Sequence, residues 1–111
     1  MKVGLLCGRE YSFPPAFIDR VNTLGKPHGI TADAKGNIYV SEILLNQVWV
    51  LSPDGSQRIL IATKQNAPLD NNTSLVVKGD VLCTANLGFT HAKPEEADRT
   101  VVCMKGFPLP K

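Results

Sequence analysis

From residue 28 onward, apolar positions recur with the two-residue period of strands rather than with helical spacing. Four short runs stand out, at residues 28–32, 37–42, 47–52 and 57–63, the third rich in Val and Trp. Such side chains pack well on a pleated surface. Turn chemistry separates the runs. Asp33-Ala34-Lys35-Gly36 has the composition of a type I turn closed by a glycine at positive φ, and Pro53-Asp54-Gly55 is a second turn. After a polar loop at 66–72 the pattern restarts, with runs at 73–77 and 80–86 around Lys78-Gly79. A second polar loop, 90–98, precedes a last run at 100–104.

Four antiparallel strands joined by tight turns form a meander. Ile30 and Leu75 hold equivalent places 45 positions apart, within the ~40–50-residue blade period of β-propellers. The expected fold is therefore mainly β, about two propeller-type blades. Residues 26–65 make one complete blade and 66–111 a partial one that lacks a fourth strand. Residues 1–25 read differently. An apolar run at 2–7 is followed by a polar break. Ser12-Phe13-Pro14-Pro15 then starts a helix carried by Ala16, Phe17, Val21 and Leu24 and closed by Gly25. This strand–loop–helix opening is typical of α/β proteins such as the ATP-grasp enzymes. Residues 2–7 are also a candidate for the missing fourth strand.

Composition narrows the function classes. At 111 residues, 43% hydrophobic and 20% charged, the chain fits one small globular domain rather than a disordered or coiled-coil segment. A net charge of +2 spread along the sequence is no nucleic-acid footprint. No apolar run approaches the ~20 residues of a membrane span. The opening residues make a poor signal peptide, so the expected location is cytoplasmic. Three cysteines without CxxC spacing read first as small buried hydrophobes in a reducing compartment. A Cys83–Cys103 bridge is the alternative, because both lie in strand-like runs of one blade. Asn71-Asn72-Thr73 satisfies a glycosylation sequon, and His91 reads as solvated in its loop.

The first turn also predicts a register. A loop of Ala34, Lys35 and Gly36 pairs Asp33 with Asn37, so Ile30 opposes Val40 and His28 opposes Glu42. Opposed side chains share a face with Cβ atoms about 5 Å apart. His28 and Glu42 are thus expected together at the open end of the hairpin, with Asn86 and Asp70 lining the same face. The bland alternative is a cross-strand polar pair at a rim.

Four segments, PHGITADAKGNIYVSE, QVWVLSPDG, LDNNTSLVV…VLCTANLGF and RTVVCMKGFPLP, carry a resemblance. Residues 27–110 resemble the C-terminal two blades of the senescence-marker-protein/gluconolactonase-like six-bladed propellers and related NHL-repeat propellers. The resemblance implies a parent fold that hydrolyses lactones or esters with a divalent metal, Ca²⁺ or Mg²⁺. It does not extend to residues 1–25. Where those hydrolases have Pro-Asp-Gly, with the Asp a metal ligand and catalytic group, this chain has Pro27-His28-Gly29. The type and spacing of His28 and Glu42 are instead similar to those in virginiamycin B lyases, which implies His28 as general base and Glu42 as a metal ligand.

Three functions follow as expectations. The first is a piece of a metal-dependent lactonase-like hydrolase, inactive alone, with His28 and Glu42 catalytic and with Glu42, His28 and Asn86 as metal ligands. The second is a non-catalytic interaction module, since open sheet edges invite self-association or a partner chain. The third is a lyase using His28 and Glu42 on a small molecule.

Overall fold

The computed structural model describes residues 27–111. The expected strand at 2–7, the helix of the opening segment and Cys7 lie outside the described residues. Seven strands follow one another: β1 (Pro27–Ala32), β2 (Ile38–Glu42), β3 (Gln47–Leu51), β4 (Arg58–Ala62), β5 (Asn72–Lys78), β6 (Val81–Asn86) and β7 (Val101–Met104). A short 3₁₀ turn, Pro94–Glu96, sits in the loop before β7. The chain is mainly β, as expected. Both sheets are antiparallel meanders, β1-β2-β3-β4 and β5-β6-β7.

The first hairpin forms as its turn chemistry dictates. Asp33 N–H donates to the Asn37 carbonyl (3.0 Å), Gly36 N–H donates to the Asp33 carbonyl (3.1 Å) and Gly36 takes φ 88°. The Asp33 carboxylate accepts from the backbone N–H groups of Lys35 (2.9 Å) and Asn37 (3.0 Å), from Asn37 Nδ2 (3.0 Å) and from Tyr39 Oη (2.9 Å). Burial pushes its pKa up, but these four donors outweigh it and hold the group below its ordinary value. Burial and the neighbouring Asp33 raise the Tyr39 phenol in turn.

Strand alternation decides which side chains meet between the sheets. In the first sheet Tyr39 pairs with Val50 and Ser41 with Val48. In the second, Val77 pairs with Leu82 and Leu82 with Met104. These near faces enclose the core of Tyr39, Val48, Val50, Ile61, Ala62, Leu69 and Leu82, with Leu75, Val77, Met104 and Phe107 packed against it. A methyl group at Gly29 would collide with the Thr73 carbonyl oxygen and come within 3.0 Å of Ser74 Cα, so glycine there lets β1 approach β5. The C-terminal tail returns to the first sheet. Phe107 meets Tyr39 edge-to-face at 5.9 Å, and Lys111 N–H donates to Gln57 Oε1 (3.1 Å).

The two hairpins repeat each other residue by residue. Ala32 pairs with Ile38 and Ile30 with Val40 in the first, and Val77 pairs with Leu82 and Leu75 with Thr84 in the second. Each then shifts register near its open end, closing on Pro27 opposite Glu42 and on Asn72 opposite Asn86.

Cys83 and Cys103 are partners in the β6–β7 ladder and are joined by a disulfide, with Cα atoms 4.1 Å apart. The buried-thiol expectation gives way for these two residues. A bridge belongs to an oxidising environment rather than a reducing one.

Candidate functional site

The rim where β1, β5 and the β2–β3 turn come together holds nearly all the candidate chemistry. It is built by one short segment, Leu69-Asp70-Asn71-Asn72, that crosses from the first sheet to the second and is buried throughout. A crossing backbone at such depth needs internal partners: the Asn86 and Asn46 side chains accept from the Asp70 and Asn71 N–H groups, and the Gly88 and Leu87 N–H groups donate to the Asp70 and Asn71 carbonyls.

Asn71 takes φ 57°, a left-handed conformation that Asn tolerates better than most residues. Its Nδ2 donates to the Ile43 carbonyl (3.1 Å), and its backbone N–H donates to Asn46 Oδ1 (2.6 Å). Its Oδ1 accepts from Phe89 N–H (3.0 Å), Thr90 N–H (3.2 Å) and Thr90 Oγ1 (3.0 Å). One side chain therefore ties the β2–β3 turn to the loop after β6. Asn71 is 0% exposed, so the sequon amide is a structural group out of reach of a glycosylating enzyme in the folded chain.

Asn72 donates through Nδ2 to Ser41 Oγ (2.9 Å) and to the Gln47 carbonyl (2.9 Å), and Ser41 Oγ donates to the Asn72 carbonyl (2.6 Å). Asn72 Oδ1 is buried without a hydrogen-bond partner. Asn86 accepts from Asp70 N–H at Oδ1 (2.9 Å) and donates from Nδ2 to the Pro68 carbonyl (2.9 Å). Both ends of its amide are engaged by the backbone, so its role here is to hold the crossing segment.

The expected register of His28 against Glu42 is offset by one residue. Ile30 does oppose Val40, but Pro27 stands opposite Glu42 and the register shifts between Pro27 and Gly29. A bulge places two residues of one strand against one of the other and re-aims the extra side chain. His28 is exposed, while Glu42 is 1% exposed at the end of β2, where it also pairs with Gln47. Counting outward from the turn holds only for a regular ladder, and the bulge lies beyond the turn's local signal.

His91, expected in solvent, is instead paired. Its Nε2 lies 2.8 and 2.7 Å from the two carboxylate oxygens of Asp70, which also accept from Asp98 N–H at 2.7 Å. The His91 side chain is 27% exposed and that of Asp70 8%. Burial pushes the Asp70 pKa up, but the Asp98 N–H, His91 and more distant Lys64 together bring it below the ordinary value. Twenty-one positions and a loop separate the two residues, and no local motif links them.

The resemblance implies a divalent-metal centre. Among the described residues no group of three or more His, Cys, Asp and Glu side chains could hold a metal ion. Both ends of the Asn86 amide are committed to the backbone. Among the described residues no helix is long and apolar enough to cross a membrane.

Apolar surface is the rim's other property. Leu44 and Leu45 in the β2–β3 turn and Leu87 and Phe89 after β6 are all exposed. The face of the second sheet turned away from the core continues the theme. Val76 pairs with Cys83, Cys83 with Cys103 and Ala85 with Val101 on that face, and Val76 and Val101 are 60% and 67% exposed. Compared with protein-family models and with curated proteins, the sequence matches none.

Proposed function

We propose that this chain is a non-catalytic, two-blade propeller-type module that works by stacking blade on blade with a second copy of itself. The internal repeat carries the reading. The second hairpin already covers the near face of the first, using the same register and the same bulged end. Its own far face, with Val76 and Val101, has no such cover among the described residues. On the far face of the first sheet Ile30, Ile38, Val40 and Leu51 are already buried, and the open part is its β3–β4 side, where half-buried Trp49 pairs with Leu60, 38% exposed. A far face of one copy laid on the opposite far face of the next is a head-to-tail contact, which closes a ring when the rotation permits. At two blades per copy, two to four copies reach the ~4–8 blades of known propellers.

Ancestry in the senescence-marker-protein/gluconolactonase-like propellers is part of the proposal. The 45-residue offset of Ile30 and Leu75 and the meander topology support it. The hydrolase and lyase readings both require His28 and Glu42 to act together, and the bulge at His28 counts against that step. Sedimentation velocity over a range of concentrations tests the module. Association that Val76→Lys and Val101→Lys weaken is the expected result, and a monomer at every concentration overturns it.

A further inference from the structure

The Cys83–Cys103 bridge occupies a position unlike that of a core staple. It ties β6 to β7, and β7 is a four-residue strand at the edge of its sheet among the described residues. Cys103 is exposed, on the face that also carries Val76 and Val101. Beyond β7 the chain runs directly into the tail that crosses back to the first sheet, with Phe107 on Tyr39 and Lys111 on Gln57. Between that tail and the end of β4 lies an open cleft of about 240 Å³, with Ile61, Asn66 and Ala67 on one side and Met104, Phe107 and Pro108 on the other. The bridge, the edge strand, the tail and the wall of the cleft form one continuous run of chain.

We infer that this bridge is a reducible latch that controls the docking of β7 and the C-terminal tail. The reductant is a dithiol. Its thiolate attacks the exposed Cys103 sulfur, forming a mixed disulfide and releasing the Cys83 thiolate, which takes a proton. The second thiol of the reagent, deprotonated, then displaces the Cys103 thiolate, which is protonated in turn. The reagent leaves as its cyclic disulfide, having lost two electrons, and the protein carries two thiols. In the unstacked chain Cys103 is exposed on the face turned away from the core, so the exchange needs no prior unfolding of the core, and stacking on that face shields the bridge.

The loss of the bridge acts on a short edge element. Among the described residues β7 has one strand neighbour, β6; beyond that it is held by buried Val102, by Met104 against the core and by the tail's Phe107. The first sheet keeps its four-stranded ladder and its own turns regardless of the redox state. Opening is therefore local: the edge strand and tail part from the sheet, one wall of the cleft is lost and Tyr39 is uncovered. Edge elements with few buried contacts are those that open below the global unfolding free energy.

Hydrogen exchange with mass spectrometry on the full chain, before and after excess dithiothreitol, tests the latch. Reduction is first confirmed by the mass gain of two hydrogens. The expected result is loss of protection in residues 101–111 by roughly a hundredfold, the equilibrium factor that closing a loop of this size supplies, with residues 38–51 unchanged. Reoxidation restores the original pattern, and C83S/C103S reproduces the reduced one. A bridge that resists the reagent overturns the inference. So does unchanged protection of 101–111 in the reduced chain, or a loss of protection that extends equally to 38–51. The reduction–reoxidation cycle of the unmodified chain decides the matter even where the double variant fails to fold.

Discussion

Pro27 stands opposite Glu42, and the histidine beside it is carried out of the ladder. This one-residue shift takes His28 out of the direct cross-strand position opposite Glu42 that a regular ladder gives it, with His28 exposed and Glu42 buried. His28→Ala is expected to leave stability within about 0.5 kcal/mol, the usual range for an exposed position. Urea unfolding of the two proteins measures this. A rise in melting temperature with Ca²⁺ or Mg²⁺ that His28→Ala abolishes would reinstate the pair.

Asn71 carries a different weight. Asn71→Ala leaves the Ile43 carbonyl and the N–H groups of Phe89 and Thr90 without their partner, and each buried unsatisfied group costs ~1–3 kcal/mol. Alanine is also unfavourable at φ 57°. The expected loss is about 3 kcal/mol, read as a lower urea midpoint, and Asn71→Gly recovers only the backbone part. Equal stability of Asn71→Ala and the parent chain would show that the rim does not depend on this side chain.

Acid should undo the Asp70 anchor. Its folded pKa lies below the ordinary 3.8, so its contribution is fully present above that value. It is lost as pH falls through the folded value. The urea midpoint of the parent chain is therefore expected to drop below about pH 4. Asp70→Asn should show a smaller drop over the same window. Part of the slope remains, because Asp33 is also lowered and Asp54, held by the backbone N–H and hydroxyl of Ser56 and by Ser52, lies at about 2. Parallel curves for the two proteins would show that Asp70 carries none of the acid dependence.

Much of the fold is legible in the sequence because its signals are local. Each of the seven strands lies within one residue of its expected ends, since alternation and turn residues such as Asp33, Gly36 and Gly55 act over a few positions. The 45-residue repeat likewise needed only the spacing of Ile30 and Leu75. The rim was less legible because its bonds are long-range. Asn71 to Ile43 spans 28 positions, Asp70 to His91 spans 21, and Asn72 to Ser41 spans 31. The sequence suggests a ligand role for Asn86 and a solvated His91, whereas the Asp70 N–H and the Pro68 carbonyl of the crossing backbone engage the first and a carboxylate the second. The disulfide stood between: both cysteines fell in recognisable strands, but only the β6–β7 register places them side by side.

The sole tryptophan tests the stacking proposal most directly. Trp49 lies on the far face of the first sheet, with the Arg58 guanidinium 5.2 Å from its ring centre, while Val76 lies on the far face of the second. Head-to-tail stacking brings these two faces together only between copies. Tryptophan emission recorded across a concentration series is expected to shift to the blue as copies associate. In Val76→Lys, a change on the opposite face, that shift should be lost. Emission that does not change with concentration, or a blue shift that survives in Val76→Lys, would contradict blade-on-blade assembly.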